Sequence, residues 1–410
     1  MKNAKGILPA LLLALLLPAF APATEKPKVR AITAFVRLER ARYQAQVRDA
    51  LGFLRAAKAA YQRAGYEVET IRISTQPFPE YIRGLDDQET MAFFRAYDKL
   101  AEKEGFDAAI GPAMLSDVED PRHVELLAEI LRSTSILNGS VVVAGEDGVH
   151  WNSVRAAAKL MKFLSERTPR SQGNFRFAAT ALLPTDTPFY PGSYHTGEGR
   201  QFAVALESAN VVGEVFSLTR NLAVVRETLQ SSLGQHATAI ERVARQVVIE
   251  TGWEYLGIDL SPAPLKDVSI GAAIEKLTGA QFGSSGTLSA AAIITDVLKE
   301  IPVKQAGYSG LMVPVLEDAV LARRWSEGAL TLDALLSYSA VCGTGLDTVP
   351  LPGEVTEQQL ARIIGDMATL AVKLQKPLSA RLLPVAGKKA GDRTEFDDPF
   401  LVNAVLQPLP

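Results

Sequence analysis

Cysteine is almost absent from this 410-residue sequence, which contains a single one, Cys342. An internal disulfide is therefore excluded, and stability has to come from a packed core. A strong charge of either sign is also lacking, because 43 basic and 46 acidic residues leave a formal net charge of -3. This balance indicates neither nucleic acid nor an anionic membrane surface as a partner.

Long apolar runs are confined to the amino terminus. Two lysines precede the uncharged, leucine-rich run 6–20, and small residues follow up to Ala23. This order is typical of a secretory signal peptide that is cleaved after Ala23. The alternative is an anchoring helix, but the run is shorter than the about 20 residues that span a bilayer and contains two prolines. We therefore expect residues 1–23 to be removed and residues 24–410 to be exported, periplasmic or extracellular, without a membrane anchor.

Strand-like and helix-like patterns alternate along residues 24–410. The predicted strands are 29–36, 66–73, 108–114, 140–144, 174–183, 201–212 and 253–260. The predicted helices are 39–64, 89–104, 122–132, 152–166, 214–250, 268–277, 287–300, 316–325, 332–341 and 357–374. This alternation indicates an α/β protein, and the absence of a low-complexity linker favours one domain. The loop 184–199 is long and rich in aromatic residues, which predicts an ordered loop with a function.

Strong catalytic signatures are missing, since no HExxH, CxxC or GxSxG pattern occurs. The candidates therefore come from polar residues at predicted element ends. His195 ends the segment PFYPGSYH and is a candidate base or ligand, with Glu207 as its companion. Asp259 ends a strand in GIDLSPAP, where ligand sites of α/β folds gather, although an acid in this place also caps turns.

The segment YSAVCGTGLDTVPLPG carries the single thiol. Cys342 is a candidate nucleophile, and the backbone of Gly343 and Gly345 is a candidate oxyanion hole. The alternative is a small buried residue before a glycine-rich turn. Asp347 is a candidate catalytic acid or base, but its charge would raise the pKa of a nearby thiol and so disfavours a reactive thiolate.

Two further segments are candidate ligand sites. In FGSSGT, Ser285 and Gly286 precede a helix and are candidates for binding an anion, although a simple helix start is the alternative. The carboxy-terminal segment KPLSARLLPVAGKKAGDRTEFDDPFL offers Arg381 as a cation. Its Asp397 and Asp398, together with Asp259, are candidate ligands of a divalent metal, and an exposed tail is the alternative.

Taken together, these segments resemble those of the group called domain of unknown function 711, or uncharacterised protein family 0210. The shared stretches include NFRFAATALL, PFYPGSYH, GIDLSPAP, FGSSGTLSAAAIITDVLK, GYSGLMVPVLEDA and the segments that carry Cys342 and Arg381. They run in order from about Val29 to the carboxy terminus. The chain is therefore identified as similar to this family over nearly its whole length.

The resemblance implies a fold similar to that of pyruvate formate-lyase and related glycyl-radical enzymes. That fold is a barrel of about ten strands surrounded by helices, with a finger loop at its centre, and by analogy the turn at Cys342 would be that loop. The radical enzymes hold their glycine in an Arg-Val-x-Gly-Tyr-like segment near the carboxy terminus, which this sequence lacks. We therefore expect no glycyl radical.

Two function classes are compatible with these observations. The first is a non-radical small-molecule enzyme, hydrolase- or lyase-like, with a central polar pocket that binds a small-molecule ligand. The second is a non-catalytic exported protein that uses the same loops for ligand binding or assembly. A homo-oligomer and a divalent metal are compatible with both classes.

Overall fold

One sheet organises the chain, for which the computed structural model describes residues 25–409. The predicted signal peptide lies outside the described residues. The strands are β1 (Lys28–Val36), β2 (Val68–Thr75), β3 (Asp107–Pro112), β4 (Leu137–Gly145), β5 (Gly148–Val149), β6 (Phe177–Ala181), β7 (Gln201–Glu207), β8 (Glu254–Asp259), β9 (Gly345–Pro352) and β10 (Leu378–Val385). They form a ten-stranded sheet with the order β8-β7-β1-β2-β3-β4-β6-β10-β9, and β5 pairs with β4.

The strands of this sheet run in two directions. The central strands β1, β2, β3, β4 and β6 are parallel to one another. On one side β7 is antiparallel to β1, and on the other side β10 is antiparallel to β6. The outer strands β8 and β9 are parallel to β7 and β10. Five parallel strands are thus flanked on each side by a pair of strands that run in the opposite direction.

The irregular segment 304–315 hydrogen bonds to both outer strands. The Ile258 N–H of β8 donates to the Lys304 carbonyl over 2.8 Å, and the Ala306 N–H donates back to Ile258 over 3.0 Å. At the other end of the segment, the Val315 N–H donates to the carbonyl of Asp347 in β9 over 3.0 Å. The segment therefore connects the two edges of the sheet.

Helices follow most strands and bury their apolar faces against the sheet. They are α1 (Tyr43–Arg63), α2 (Asp87–Glu104), α3 (Arg122–Ser133), α4 (Trp151–Arg167), α5 (Ala209–Leu218), α6 (Leu222–Thr251), α7 (Ile270–Thr278), α8 (Thr287–Glu300), α9 (Ala319–Ser326), α10 (Leu332–Ser339) and α11 (Glu357–Leu374). Helices and strands share one large hydrophobic core. Because successive side chains of a strand alternate between faces, Ala31 and Ala205 face a second, smaller cluster with Phe189, Tyr308 and Met312. None of the helices within residues 25–409 is long and apolar enough to cross a membrane.

The loop 184–199 packs against the face that carries this smaller cluster. Its Pro188 carbonyl accepts a hydrogen bond from the Thr33 hydroxyl of β1, and the Tyr190 hydroxyl donates to the Ile73 carbonyl of β2 over 2.6 Å. Ser193 bonds to Ser74, also of β2. The loop is therefore ordered against the sheet, as its aromatic content predicts.

The sequence pattern misses three strands, the two-residue β5 and the longer β9 and β10, and the predicted strands 174–183 and 201–212 extend beyond β6 and β7. Residues 345–352 and 378–385 form β9 and β10, and every residue of both strands is buried. Glycine and proline in 345–352 are depleted in strands, so local preference does not indicate β9. The predicted strand 201–212 is wrong beyond Glu207, because Ala209–Leu218 is helical.

Gly345 is a position where the backbone itself requires glycine. Its φ is +89°, and a Cβ would lie 2.6 Å from the carbonyl oxygen of Ser379 in the neighbouring strand. We expect Gly345→Ala to lower the free energy of unfolding by about 2 kcal/mol, from backbone strain and the forced separation of β9 and β10. Gly387→Ala is the matched control, since φ is +77° but no atom lies within 4 Å. Equal losses in urea unfolding of the two variants would contradict this role.

Candidate functional site

A cavity of about 270 Å³ lies against the face of the sheet that holds the smaller cluster. Its walls come from the middle of the sheet and from both sides of it, and include residues of β1, β2, β3, β4, β6, β9 and β10. The lining also includes residues of the loop 184–199, of the segments 263–264 and 308–317, and of the carboxy-terminal segment 386–409. The charged residues of the wall are Arg30, Arg72, Asp107, Arg176, Glu317, Asp347, Arg381 and Asp398.

Two buried arginines in this wall are joined by one carboxylate. Arg381 Nη1 donates to Glu317 over 3.0 Å and to Asp347 over 2.9 Å. The other Glu317 oxygen lies 3.6 Å from Arg30 Nη2. Arg30 Nη1 in turn bonds to Glu69 over 2.8 Å and to Glu207 over 3.0 Å. We call these six residues the central ion cluster.

Irregular strand pairing accompanies both arginines. The pairing of β1 with β7 shifts register between Val29 and Ala31, around Arg30. The pairing of β10 with β9 shifts between Ala380 and Leu382, around Arg381. A bulge redirects a side chain relative to strict alternation and is common beside active sites. This irregularity accounts for two charged residues inside otherwise apolar strands.

Burial raises the pKa of two carboxyl groups in the central ion cluster. For Asp347 the pKa rises to about 6, because burial and the neighbouring Glu317 outweigh the attraction of Arg381. For Glu207 the pKa rises to about 7, because burial and Glu69 outweigh Arg30. Both groups therefore exchange protons near neutral pH, and Asp347, which lines the cavity, is thereby suited to general acid–base work.

Two polar groups of the cavity wall have no hydrogen-bond partner among residues 25–409. They are Nε of Arg381 and the hydroxyl of Thr344. A buried polar group without a partner costs about 1–3 kcal/mol, so each such group in a native structure requires an explanation.

The structure brings three of the sequence-predicted residues to the cavity: Asp347, Arg381 and Asp398. Asp347 and Arg381 are bonded to each other. Asp398 Oδ1 accepts the backbone N–H of Phe400, and burial raises the pKa of its carboxyl group. The sequence segments 338–353 and 376–401 therefore meet at one site.

The other predicted polar residues lie elsewhere. His195 is fully buried beside Phe35, and burial lowers its pKa; its predicted companion Glu207 pairs with Arg30 instead. Asp259 is fully buried and accepts the backbone N–H groups of Tyr308 and Ser309, so it positions the Tyr308 segment beside the cavity.

The four predicted glycine and serine residues do not line the cavity. Ser285 and Gly286 are exposed at the start of α8 and do not line the cavity. Gly343 packs against Gly310, and a Cβ there would lie 2.7 Å from that backbone. Gly345 contacts Ser379 in the same manner. Close approach of backbone to backbone thus accounts for both glycines.

The predicted metal ligands Asp259, Asp397 and Asp398 are not brought together. Asp397 is exposed and pairs with Arg170 and Gln172 at the surface. Across the described part of the chain, no group of three or more His, Cys, Asp or Glu side chains is arranged to hold a metal ion. The prediction that these three aspartates form one metal site is therefore wrong, because the fold separates them.

Cys342 lies in the large hydrophobic core, where only 1% of its surface is exposed. It does not line the cavity. We expect a thiol reagent to leave the native protein unlabelled and to label Cys342 after unfolding in denaturant, because reaction requires access as well as thiolate. Labelling is followed by mass spectrometry. Rapid labelling of the native protein would contradict the burial of this thiol.

Sequence reasoning missed Arg30, Arg72, Arg176, Glu317 and Tyr308. A signal was present for Arg30, which interrupts the mostly apolar strand β1. Charged residues are rarely buried without a partner, so such an interruption indicates either an exposed face or a paired group. Only the folded chain shows that the partners are Glu69, Glu207 and Glu317.

The raised pKa of Glu207 predicts a pH dependence of stability. Between the ordinary value of 4.5 and about 7, the folded protein retains a proton that the unfolded chain has released. This stabilisation is complete below pH 4.5 and is lost as the pH rises through 7. Glu207→Gln removes the titration, so urea unfolding between pH 5 and 7.5 should show a smaller decline than the wild type. The exposed Glu198→Gln is the control, and an unchanged decline in Glu207→Gln would contradict the prediction.

The fold and the site define an α/β protein with a ten-stranded sheet and a buried arginine–carboxylate cluster in its cavity. The chain belongs to the family described as Uncharacterised ACR (DUF711), whose model matches residues 23–397. This confirms the family resemblance found in the sequence. A UPF0210 protein of Pyrobaculum arsenaticum is 36% identical over 82% of this chain and 78% of its own length. A UPF0210 protein of Methanopyrus kandleri is 32% identical over 77% of this chain and 73% of its own length. A UPF0210 protein of Acetivibrio thermocellus is 27% identical over 86% of this chain and 82% of its own length.

Proposed function

We propose that this protein is a non-radical small-molecule enzyme, hydrolase- or lyase-like, in which Asp347 transfers a proton to or from a substrate in the cavity. The observation that carries the proposal is the pairing of Asp347 and Glu317 with a single nitrogen of Arg381 in the cavity wall. Two acids that share one cation retain a proton more readily than two separate ion pairs. Since the pKa of Asp347 is about 6, both of its protonation states are populated near neutral pH.

The unpartnered donors fit the same role. Arg381 Nε and the Thr344 hydroxyl lie in the wall that also holds Asp347. We propose that an oxygen atom of a bound substrate approaches these donors, both of which the protein encloses. Donors that are held in place before the reaction stabilise the negative charge that develops on such an oxygen. The cavity therefore combines an acid–base group with an electrophilic wall.

We also propose that the sheet is a closed barrel similar to that of pyruvate formate-lyase. We count the segment 304–315 as a tenth barrel strand in place of the short β5. The barrel then has two halves of five strands each, and the strands within each half are parallel. Two observations support this arrangement. The segment forms hydrogen bonds with both β8 and β9, and residues from across the sheet line the same cavity. In this arrangement the loop 184–199, rather than the turn at Cys342, occupies the position of the finger loop.

Export completes the proposal. It rests on the charged start and the leucine-rich run that precede Ala23. Burial of Cys342 suits an oxidising compartment, because a shielded thiol cannot form disulfides with other molecules. Fractionation of cells that express the full chain tests this part, with amino-terminal sequencing of the exported species. A protein that remains in the cytoplasm with an intact amino terminus would contradict it.

A ligand screen tests the enzymatic proposal. Purified protein is heated with small polar metabolites, and compounds that raise the melting temperature are then followed by proton NMR. Consumption of a stabilising compound supports an enzyme. Stabilisation without consumption supports the alternative, an exported binding protein on an enzyme-like fold. Failure of every class of small polar compound to stabilise the protein would contradict both.

A further inference from the structure

Arg176 lines the cavity without forming an ion pair. Its guanidinium donates only to the Leu131 carbonyl over 2.6 Å, the Leu137 carbonyl over 3.0 Å and the Thr134 hydroxyl over 3.4 Å. No carboxylate of residues 25–409 lies within 4.0 Å of it. This differs from Arg30 and Arg381, which contact three and two carboxylates.

Arg72 is only weakly paired. Its Nε donates to the Thr70 hydroxyl over 3.0 Å and lies 3.5 Å from Asp107. The guanidinium stacks over the Tyr190 ring at 4.8 Å, which fixes its plane. Nη1 reaches the Pro188 carbonyl over 3.4 Å, and no hydrogen bond to a described residue involves Nη2. Arg72 is thus held from one side and keeps donor capacity on the other.

Both arginines belong to the same edge of the cavity. Arg72 pairs in register with Asp107, the first residue of β3. Arg176 directly precedes β6, and it bonds to Leu137, the first residue of β4. Strands β3 and β4 lie between β2 and β6 in the sheet, and Ser135, Ile136 and Asn138 at the start of β4 also line the cavity. The two guanidinium groups therefore flank the start of β3 and β4.

The charges at this edge of the cavity favour the binding of an anion. Burial lowers the pKa of Arg72, and it lowers that of Arg176 to about 10, whereas nearby carboxylates raise those of Arg30 and Arg381. A buried cation without a counter-ion is costly, and an anion that binds beside it offsets this cost. Asp98 and Asp398 attract Arg176 from beyond ion-pair distance. Asp98 already accepts the backbone N–H groups of Ser135 and Ile136, and burial raises the pKa of Asp398, which favours its neutral form.

We propose that Arg72 and Arg176 form an anion subsite that binds a carboxylate or phosphate group of the substrate. The inference rests on the proposed function and deepens it, since it defines the substrate as an anion. The anionic group lies at the edge formed by β3 and β4, and the reacting part of the molecule reaches Asp347. Planar guanidinium groups suit such oxyanions because they donate two parallel hydrogen bonds.

Calorimetric titration with defined probes tests the subsite. The probes are inorganic phosphate, succinate and the uncharged succinamide. We expect the wild type to bind phosphate or succinate and not succinamide, and the stronger of the two anions identifies the group. Arg72→Gln and Arg176→Gln should each weaken this binding at least about 10-fold, and the Lys variants, which retain the charge, should weaken it less. Arg55→Gln, at an exposed ion pair with Glu104, should bind as the wild type does.

Two results would overturn the subsite: no binding of either anion by folded wild-type protein, or equal binding by the wild type and both Gln variants. Circular dichroism confirms folding, and the Lys variants replace any Gln variant that does not fold. Asp347→Asn separates the two proposals. If this variant turns over substrate normally while the Gln variants lose anion binding, the proposed function fails and the subsite stands. If it loses turnover while the Gln variants bind anions normally, the subsite alone fails.

Discussion

Asp347→Asn should lower kcat for the substrate by about 10²–10⁴-fold, the range that a positioned acid or base contributes. The amide cannot transfer a proton, yet it has nearly the same shape. The substitution also leaves Glu317 bonded to Arg381, and it removes the repulsion between the carboxylates of residues 347 and 317. We therefore expect the fold and the affinity for substrate to persist. Steady-state kinetics on the compound found by the ligand screen give kcat and KM separately.

The exposed Asp397→Asn is the matched control for this substitution, because its carboxylate pairs at the surface with Arg170. It should retain wild-type kinetics. The pH profile provides a second readout. As a base, Asp347 makes the rate rise through pH of about 6, and as an acid it makes the rate fall through the same pH. A folded Asp347→Asn variant with a wild-type kcat would refute proton transfer by this residue.

Arg30→Met should lower the free energy of unfolding by about 3–5 kcal/mol, the range found when one partner of a buried ion pair is removed. Glu207 and Glu317 are buried and Glu69 is nearly so, and all three lie within 3.6 Å of the Arg30 guanidinium. Without it they are left as uncompensated negative charges in a confined space. Urea unfolding at pH 7.5 measures the loss.

Arg132→Met is the control for Arg30→Met. Arg132 pairs with Glu129 at 2.8 Å, but the two side chains are 41% and 44% exposed. Exposed pairs contribute about 0–1 kcal/mol. The loss in Arg30→Met should also shrink at lower pH, because protonation relieves the stranded acids. Similar losses in the two variants would show that the central ion cluster contributes no more than a surface pair.

Local pattern was sufficient to predict most helices and the first strands. The helix over Glu357–Leu374, for example, begins at a capping box between Thr356 and Gln359, which the sequence displays directly. The family resemblance, rather than periodicity, indicated about ten strands. Strands β9 and β10 were missed because their residues are buried on both faces, so apolar and polar residues do not alternate along them.

The candidate site was predicted in part. Asp347 and Arg381 were singled out separately, but their pairing joins residues 34 positions apart through adjacent strands. The position of Arg30 depends on a register shift, which the sequence does not display. The thiol of Cys342 attracted attention because it is unique, while its burial depends on the packing of distant elements. Long-range pairing is thus what sequence reasoning could not supply.

The pairing of Arg30 with Glu207, 177 residues further along the chain, also has a consequence during protein synthesis. A ribosome adds about 5–20 residues per second, so Arg30 is synthesised about 9–35 s before Glu207, and Glu317 follows later still. During this interval Glu69 is the only one of the three acids that can pair with Arg30. The interior of the domain therefore cannot be completed until the segments that carry Glu207 and Glu317 have been made.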